Sequence, residues 1–542
     1  MISNLSLYDN LIIILYFAVV LYIGLFLSKF KDKNTSDYFL AGRNLGWFAV
    51  GISLFATNIS SEHIVGLAGA GYKGGIAVGQ FEWMAVFIII ILGWFFAPVF
   101  IKSGVFTMPE FLGKRYDNRS RIYLTWISIF AYIFTKISIT LFAGGMLLSE
   151  VLGWDMFNSA VLLVLVTGIY TVVGGMSSVV YTQIFQTIVL IAGALLLTIF
   201  GMNEIGGVSA LTSKIPEDFY TIFKPMSDPD FPWTGIIFGA PILGIWYWCT
   251  DQYIVQRILS AKGIDSARKG TLLAAFLKVL PVFILLIPGL IALILYPDIS
   301  PDQAFASLLN SDILPLGIKG VVIAGLFAAM MSSLASAFNS TAILFTLDIY
   351  KPRFPKSSES ELVLVGRLST VVMVLSAILW IPLLKLLSNQ MYVHIQTMQA
   401  FISPPIACVF IFGLLWKRAN SRGAFGALIG GGSIGLLRLI LEWIQYPAIK
   451  DIVFFNWILS INYLHFAIFL FIFSSVILIA LSLQEVKETT KENINEFFTV
   501  GELGLGINST FNYTKSRLIR GDLFFSLFLI LIVFSIWGIL LF

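Results

Sequence analysis

Long apolar runs alternate with short polar connections along almost the whole chain. A helix needs about 20 mostly apolar residues to cross the hydrocarbon core of a bilayer. By this length rule the pattern predicts about fourteen membrane-spanning helices, at roughly 10–28, 46–73, 79–101, 122–149, 157–176, 184–202, 233–256, 270–296, 317–347, 362–387, 391–415, 423–441, 453–482 and 522–541. Only 203–232 and 483–520 are sizeable polar connections. We therefore expect an all-α integral membrane protein that has no room for a soluble enzymatic domain and is not an enzyme.

The composition agrees with this pattern. Hydrophobic residues make up 58% of the chain and charged residues 12%, whereas soluble domains carry about 25% charged residues. The two cysteines, Cys249 and Cys408, lie within predicted spans, so we expect no disulfide framework. The N-terminus lacks the charged start and the cleavage site of a signal peptide, and we interpret 10–28 as a retained helix.

Lysine and arginine are concentrated in alternate connections between the predicted spans. The positive clusters lie at 29–43, 102–121, 257–269, 351–367, 417–422 and 487–520. Because positively charged connections stay in the cytoplasm, the pattern predicts a multi-pass protein of the cell membrane with both termini outside the cytoplasm. The acidic stretches 225–231 and 296–302 then fall on the outer side.

The second predicted span carries a polar cluster at its centre, within the sequence SLFATNISSEHIVGLAGAGY. The cluster consists of Thr57, Asn58, Ser60, Ser61, Glu62 and His63. An ionisable group at this depth costs at least about 2.5 kcal/mol and usually marks a pathway or a site. The alternative is that these residues only join helices by hydrogen bonds. We predict an interrupted helix, since broken backbone inside a membrane is tolerated only next to protein or a water-filled cavity.

A second irregular span lies at 238–257, where Gly239, Pro241 and Gly244 interrupt the apolar pattern. It is the fifth predicted span after the first irregular one, so the two cross the bilayer in opposite directions. Interrupted helices at matching positions of two antiparallel halves are typical of inverted-repeat secondary transporters. We predict a five-plus-five inverted-repeat core with two discontinuous helices. The expected segments are 1–45 (extra helix and loop), 46–202 (first repeat), 203–232 (outer connection), 233–415 (second repeat), 416–482 (two extra helices), 483–520 (cytoplasmic connection) and 521–542 (final helix).

Candidate ion ligands follow from this architecture. Sodium is a hard cation and prefers oxygen ligands, as hard divalent cations do, and unwound backbone carbonyls near Ala56 and Ile59 are candidate donors. In GLFAAMMSSLASAFNST, nearly one helical face carries Ser332, Ser333 and Ser336, with Ala329 one turn earlier. The alternative for this segment is that its small residues simply allow close helix packing.

Few polar side chains lie inside the predicted spans. They are His63, Glu82, Tyr247, Trp248, Asp251, Lys278, His394 and Gln396, with Lys136 and His465 less easily placed. Glu accepts hydrogen bonds, Lys donates them, and Gln and His do either, while Tyr247 and Trp248 offer an aromatic surface to the C–H face of a sugar. Every arginine lies in a connection or at a span end, so the set favours a neutral sugar or polyol over an anion. Alternatively, Glu82 and Lys278 pair with each other and neither contacts the solute.

Several longer patches resemble one known family. They are DYFLAGRNLGWFAVGISLFATNISSEHIVGLAG (37–69), FEWMA (81–85), WYWCTDQYIVQR (246–257), SSLASAFNSTAILFTLDIYK (332–351) and PPIACVFIFGLLWKR (404–418). Over nearly its whole length the chain resembles the sodium/solute symporter family, in particular the sodium–glucose cotransporter branch that includes the bacterial sodium/galactose transporter. The resemblance implies import of a hexose by alternating access, with Na+ as the coupling ion.

The resemblance also implies roles for residues at matching positions. The implied sugar contacts are His63, Glu82, Lys278 and Gln396, with Tyr247 as the aromatic that closes the inner side and Asn58 as its hydrogen-bond partner. The implied outer hydrophobic gate consists of Leu67, Phe81 and Tyr392. The implied sodium ligands are Ala56, Ile59, Ala329, Ser332 and Ser333.

Two positions depart from the family pattern. Gly244 stands where relatives carry Asn or Thr near the sugar, which leaves the hydroxyl selectivity open. Gln183 stands where members with a second sodium site carry Asp. Because a neutral amide is a poorer partner for a cation than a carboxylate, we predict one sodium per sugar.

Other functions on the same scaffold stay open from the sequence. One is sodium-coupled transport of a different solute, such as myo-inositol, a sialic acid or a monocarboxylate. Another, from a different class, is a solute sensor or a sodium-leak channel without coupled transport. In every case we expect a small solute and membrane lipid as partners, and no nucleic acid.

Overall fold

The computed structural model describes residues 5–27, 34–381, 391–444, 453–484 and 517–541. Throughout these residues the regular elements are helices, and extended backbone pairs only at the isolated bridges Leu45–Ala261 and Lys224–Pro232. The α-helices are α1 Leu7–Tyr22, α2 Thr35–Leu40, α3 Trp47–Asn58, α4 Ser61–Gly74, α5 Gly79–Ile91, α6 Ala97–Ser103, α7 Met108–Arg115, α8 Asn118–Ala131, α9 Ser138–Leu152, α10 Met156–Ile205, α11 Val208–Lys214, α12 Trp233–Phe238, α13 Ala240–Gly244, α14 Gln252–Leu259, α15 Ile264–Leu277, α16 Ile287–Leu295, α17 Ala304–Asn310, α18 Ile318–Ile343, α19 Lys351–Arg353, α20 Glu359–Trp380, α21 Met391–Leu415, α22 Ser421–Ile444, α23 Val453–Ser460, α24 Tyr463–Gln484 and α25 Arg517–Leu541.

Wider and tighter helical turns join several of these helices. The π-helical segments are Ile23–Leu27, Leu92–Phe96, Tyr132–Ile137, Ile245–Thr250, Val282–Leu286 and Leu344–Tyr350. The 3₁₀ segments are Ala41–Arg43, Gly75–Val78, Glu217–Tyr220 and Pro301–Gln303. Single π-turns inside helices are often found at functional sites, and two of these segments, Tyr132–Ile137 and Ile245–Thr250, contribute residues to the cavity described below.

Eleven helical stretches in the described part of the chain are long and apolar enough to cross a bilayer. This confirms the prediction of an all-helical membrane protein. The apolar helix α3 is shorter, with 12 residues. Two of the eleven stretches contain a sharp turn: Ser61–Ser103 turns at Gly75, where φ is 81°, and α10 turns at Gly175, where φ is 51° and ψ is −143°.

The turn inside α10 depends on glycine. A straight helix of 50 residues would be about 75 Å long, more than twice the roughly 30 Å of a bilayer core. At Gly175 a Cβ would lie 2.4 Å from the carbonyl oxygen of Tyr38, so a side chain does not fit. The sequence pattern placed a connection at 177–183, but the backbone is helical there. Ser177, Ser178, Thr182 and Gln183 of this stretch are buried inside protein, where Ser178 Oγ donates to the carbonyl of Gly24 at 2.8 Å.

The first predicted helix interruption is confirmed. Helix α3 ends at Asn58 and α4 begins at Ser61, while Ile59 (φ −77°, ψ 118°) and Ser60 (φ −132°, ψ −175°) are extended. Ser60 is a favourable N-cap residue, and its hydroxyl accepts a hydrogen bond from the backbone N–H of Glu62 at 3.2 Å. The polar residues at the centre of this span therefore end one helix and start the next.

The second irregular span, 238–257, contains a helix junction at Gly239 and an extended residue at Asp251. The backbone at Gly239 is helical (φ −89°, ψ −49°), and Pro241 lies in the first turn of α13, where a proline needs no N–H partner. Helix α12 thus ends at Phe238 and α13 begins at Ala240, as predicted for an interruption at Gly239 and Pro241, but the backbone between them stays helical and continues after Gly244 into a π-helical segment. The extended residue is Asp251 (φ −76°, ψ 126°), which follows a π-helical segment and caps α14 by accepting from the N–H of Tyr253 at 3.1 Å.

Helix α18 lies at the centre of the bundle. Of the 18 most apolar consecutive residues in the stretch that contains α18, 94% are buried by protein. For the corresponding 18 residues of α25 this share is 17%. Helix α10 packs along α18, and α3 packs against α10, α15 and α18. The broken helix α3–α4 and the serine-rich helix α18 are therefore neighbours inside the protein.

The predicted cytoplasmic connections lie together at one end of the bundle. Arginine side chains hold them by donating to neighbouring carbonyl or carboxylate oxygens: Arg43 to Gly104 and Val105, Arg115 to Gly413, Trp416 and Ala419, Arg121 to Leu347 and Asp348, and Arg268 to Asp522. Such contacts satisfy carbonyl groups that have no partner within a helix end. The predicted connection 483–520 falls almost wholly outside the described residues.

The predicted outer connections contact one another at the other ends of these helices. Lys73 forms an ion pair with Asp230 at 3.0 Å, Tyr72 donates to the carbonyl of Tyr296 at 2.9 Å, and Asn462 donates to the carbonyl of Pro229 at 2.7 Å. The grouping of connections into two sets by charge therefore matches their contacts in three dimensions.

We expect Gly289→Ala to lower thermal stability, because α4 and α16 approach closely there. A Cβ at 289 would lie 1.9 Å from the backbone carbonyl oxygen of Ala68, which cannot rotate away, and overpacking costs about 1–3 kcal/mol. The measurement is the temperature at which half of the detergent-solubilised protein leaves the monodisperse chromatographic peak. Gly538→Ala is the control, since a Cβ there meets nothing within 4 Å. An unchanged midpoint for Gly289→Ala would contradict the close approach.

Candidate functional site

A cavity of about 70 Å³ lies beside the first helix break. It is lined by Asn58, Glu62, His63, Phe81, Glu82, Met84, Ala85, Ile88, Lys136, Ala240, Leu243, Gly244, Tyr247, Trp248, Lys278, Gln396 and Gln399. All seven residues predicted to contact the solute are in this set, although they come from five separate parts of the chain. The structure therefore brings together groups that the sequence only grouped by chemical type.

Charged and polar side chains on one wall of the cavity contact each other directly. Lys278 Nζ lies 2.5 Å from Glu82 Oε2 and also donates to Asn58 Oδ1. His63 is placed between two carboxylates, with Nε2 3.8 Å from Glu82 Oε1 and Nδ1 3.6 Å from Glu62 Oε1. Glu82 and Lys278 thus pair, as the sequence allowed, and both still line the cavity.

Two aromatic rings form another part of the wall. The rings of Tyr247 and Trp248 are nearly perpendicular, with centroids 5.3 Å apart. Asn58 Nδ2 donates to the hydroxyl of Tyr247 at 3.1 Å, the contact expected for this pair. Because Asn58 ends α3 and Tyr247 lies in the π-helical segment before Asp251, this hydrogen bond joins the two broken helices.

The predicted gate residues have different positions. Phe81 lines the cavity, and its ring meets that of Phe231 edge-on with centroids 6.0 Å apart. Leu67 is fully buried on α4 and does not line the cavity. The side chain of Tyr392 lies outside the described residues. Phe231 belongs to the outer connection, and the sequence offered no signal that it would cover Phe81.

Sequence reasoning missed several lining residues. Lys136, which could not be placed from sequence, lies in the π-helical segment Tyr132–Ile137, and its Nζ is 4.4 Å from the centre of the Tyr247 ring. Gln399 lies one helical turn after Gln396 on α21, so the i, i+3 spacing could have revealed it.

Two other polar residues from the spans lie away from the cavity. Asp251 accepts from the Tyr132 hydroxyl and caps α14, which is a structural role. His465 Nε2 lies 2.7 Å from Thr234 Oγ1 on a different surface of the bundle. The side chain of His394 lies outside the described residues.

Oxygen atoms meet where the break in α3–α4 faces α18. Ser332 Oγ lies 2.9 Å from the carbonyl oxygens of Ala56 and Ala329, and Ser333 Oγ lies 3.2 Å from the carbonyl oxygen of Ile59. All five residues predicted as sodium ligands therefore supply oxygens to one buried cluster. Neutral oxygen ligands suit a hard cation. Among the described residues, no group of three or more His, Cys, Asp or Glu side chains forms an alternative metal site.

Gln183 fills the polar space next to this oxygen cluster. Its Nε2 donates to Thr57 Oγ1 at 3.1 Å, Ser336 Oγ at 2.9 Å and the carbonyl of Ser332 at 3.1 Å, while its Oε1 accepts from Ser53 Oγ at 2.5 Å. The same Ser336 hydroxyl also accepts from buried Arg257 Nη2 at 2.6 Å. The Ser336 hydroxyl therefore already bonds to an amide and a guanidinium donor.

Comparison with known proteins identifies the family of this chain. The sequence profile of the Sodium:solute symporter family matches residues 38–431. The sodium/glucose cotransporter 1 of Oryctolagus cuniculus is 38% identical over 524 residues, which cover 88% of this chain and 78% of the relative. The sodium/myo-inositol cotransporter 2 of Homo sapiens is 39% identical over 518 residues, which cover 88% of this chain and 76% of the relative.

Solved structures show the same fold. A Na+-coupled sialic acid symporter in a substrate-bound outward-open state superposes with a TM-score of 0.75 and 23% identity, covering 90% of this chain and 99% of that one. A nucleobase-cation-symport-1 family transporter in a closed conformation superposes with a TM-score of 0.53 and 15% identity, covering 86% of this chain and all of that one. The chain therefore belongs to the sodium:solute symporter family, as a multi-pass membrane transporter whose coupling ion is sodium.

Proposed function

We propose that this chain imports a neutral hexose, similar to glucose or galactose, together with one sodium ion per sugar. One observation carries the proposal: the break after Asn58 serves two neighbouring sites. Asn58 lines the polar and aromatic cavity, while Ala56 and Ile59, within two residues of it, contribute carbonyl oxygens to the buried cluster with α18. An ion in the oxygen cluster holds the backbone that presents Asn58 to the solute.

The proposed mechanism is alternating access. External sodium binds the oxygen cluster of Ala56, Ile59, Ala329, Ser332 and Ser333 and stabilises the outward-open arrangement of α3–α4. Sugar then binds His63, Glu82, Lys278 and Gln396 against the rings of Tyr247 and Trp248, and the Phe81 side closes. Sodium leaves to the cytoplasm, Tyr247 moves away from Asn58, and sugar follows. Each ligand must favour particular states for coupling to arise, since equal affinity for both states shifts nothing.

The proposed topology has fourteen spans, with five-helix halves at 46–202 and 233–415 that run in opposite directions and both termini outside the cytoplasm. The turns at Gly75 and Gly175 support this number, because each divides one apolar helical stretch in two. The helix breaks at Ile59–Ser60 and at Asp251 support the paired discontinuous helices. The extra helices at 1–45, 416–482 and 521–542 lie outside this core.

The alternative solutes are myo-inositol, a sialic acid and a monocarboxylate, and the relatives include a sodium/myo-inositol cotransporter 2. No arginine is among the residues found to line the cavity in the described part of the chain. A carboxylate solute is best recognised by the bidentate fork of arginine, so the lining favours a neutral polyhydroxyl compound. A sensor or a sodium-leak channel would bind the same ligands but would not accumulate the solute.

The first test is accumulation in proteoliposomes with an inward sodium gradient. We expect labelled D-glucose or D-galactose to accumulate above the external concentration, and unlabelled hexoses to compete more strongly than myo-inositol, sialic acid or lactate. The control replaces the sodium gradient with an equal potassium gradient. Binding without accumulation would contradict coupled transport and favour the sensor, and stronger competition by a carboxylate would contradict the neutral solute.

The second test concerns the oxygen cluster. We expect Ser333→Ala to raise the sodium concentration for half-maximal uptake about tenfold or more, because it removes one hydroxyl oxygen near the Ile59 carbonyl. Uptake at saturating sodium should largely recover. Ser340→Ala is the matched control on α18: it also loses one buried hydrogen bond, to Gln256 Oε1 at 2.9 Å, but lies away from the cluster. Equal sodium dependence of Ser333→Ala and wild type would refute the ion site.

The third test concerns the number of sodium ions. We expect the initial fluxes of ²²Na and sugar to be equal, since Gln183 occupies the space beside Ser336. One sodium ion gains about 2.3 kcal/mol across 100 mV and about 1.4 kcal/mol from a tenfold gradient, which together support roughly 500-fold accumulation. Gln183→Asp should move the ratio of sodium flux to sugar flux towards two. Gln183→Asn introduces a side chain of the same size and shape as aspartate but without the charge, and should leave the ratio near one. A wild-type ratio of two would overturn the argument from Gln183.

A further inference from the structure

One part of the cavity wall has no hydrogen-bonding side chains. On α5 it consists of Phe81, Met84, Ala85 and Ile88, which have the i, i+3, i+4, i+7 spacing of a single helical face. On α13 it consists of Ala240, Leu243 and Gly244. We refer to these seven residues as the apolar wall.

The two helical faces of the apolar wall pack directly against each other. A Cβ at Gly244 would lie 3.1 Å from Ile88 Cγ1, and Cys249 Sγ lies 3.8 Å from the carbonyl oxygen of Ile88. The backbone N–H and C=O groups of α5 are hydrogen-bonded within their own helix. The side chains of this wall and the helical backbone of α5 therefore offer no strong hydrogen-bond partner to a solute hydroxyl.

The rest of the lining has the opposite character. It consists of the aromatic residues Tyr247 and Trp248 and the polar residues Asn58, Glu62, His63, Glu82, Lys136, Lys278, Gln396 and Gln399. Two of these, Glu82 and Lys278, form an ion pair. The lining thus combines polar residues that can bind several hydroxyl groups with an apolar wall whose side chains can bind none, and Glu82 of α5 borders that wall. A monosaccharide that carries a hydroxyl on every side would bury at least one of them against carbon.

A buried hydroxyl without a partner loses its hydrogen bonds to water and gains nothing in return. A methyl or methylene group in the same place buries apolar surface, which is favourable. The lining therefore discriminates between two sugars that differ only by one hydroxyl on the side of the apolar wall.

We infer that the preferred solute is a deoxy sugar, a monosaccharide in which a methyl or methylene group replaces one hydroxyl-bearing carbon and faces the apolar wall. This inference rests on the proposed function, because it assumes that the cavity is the sugar site. It narrows the proposed solute from hexoses in general to deoxy sugars, in which one side of the molecule presents carbon and hydrogen in place of a hydroxyl group.

The experiment measures sodium-dependent binding of sugars to the purified full chain in proteoliposomes. The compounds are D-galactose with 6-deoxy-D-galactose, and D-glucose with its 2-, 3-, 4- and 6-deoxy analogues. We expect at least one deoxy sugar to bind about tenfold more tightly than its parent, which corresponds to about 1.4 kcal/mol. If no deoxy sugar binds more tightly than its parent, the inference is wrong.

Two matched pairs of variants assign the effect to the apolar wall. Gly244→Thr and Gly244→Val have nearly the same shape, but only threonine adds a hydroxyl, so only Gly244→Thr should reduce the preference for the deoxy sugar, by about tenfold. Ile88→Thr and Ile88→Val provide the same comparison from α5, should substitution at the close contact of Gly244 prevent folding. An equal preference in the threonine and valine variants at both positions would refute the role of the wall.

The outcomes also separate this inference from the proposed function. If no sugar binds in the presence of sodium, the proposed function itself fails. If parent hexoses bind with sodium dependence but more tightly than every deoxy analogue, the proposed function stands and only the inference fails.

Discussion

Carbonyl groups left without helical partners in the middle of a membrane protein must be satisfied by other groups. At the end of α3 the carbonyl oxygens of Ala56 and Ile59 meet the hydroxyls of Ser332 and Ser333, and that of Thr57 accepts from the Tyr253 hydroxyl at 2.8 Å. The lipid of a bilayer core offers no partner for such groups, so they must be satisfied within the protein. The contact of the broken helix with α18 therefore stabilises the extended backbone at Ile59 and Ser60. The same oxygen atoms are of the kind that a sodium ion prefers.

The polar cavity beside the break contains several ionisable side chains. Glu62, Glu82, Lys278 and His63 are all buried, and isolated charges at this depth are costly. They are tolerated because they lie close to one another, with Lys278 shared between Glu82 and Asn58. A solute that binds here exchanges hydrogen bonds with an existing network. The pairing of Glu82 with Lys278 is thus compatible with a role of both residues in solute binding. From the sequence, pairing and solute binding were alternatives.

The outer connection has structural contacts that link it to both the core and the additional helices. Phe231 covers Phe81 beside the cavity, the Lys73–Asp230 ion pair attaches the connection to α4, and Asn462 attaches it to α24. At the other end, arginines bind the carbonyl ends of neighbouring helices. Movements of the core that open either side must break these contacts or carry them along. Apart from the ring contact of Phe231 with Phe81 they are polar, unlike the extensive packing of α10 on α18.

The length of the apolar runs determined the membrane class, and the polar cluster 57–63 determined the site of the first helix break, because both are local properties of the chain. The residues of the oxygen cluster and of the polar cavity were predicted from sequence motifs. Motifs give residue types and their positions along the chain, but not the distances between them in the folded protein. Only the tertiary structure decided that the backbone becomes extended at Asp251 but stays helical at Gly239, where α12 and α13 meet and Pro241 fits into a first turn. It also decided the positions of Lys136, Gln399 and the apolar face of α5, because burial beside a cavity depends on contacts between segments that are distant in sequence.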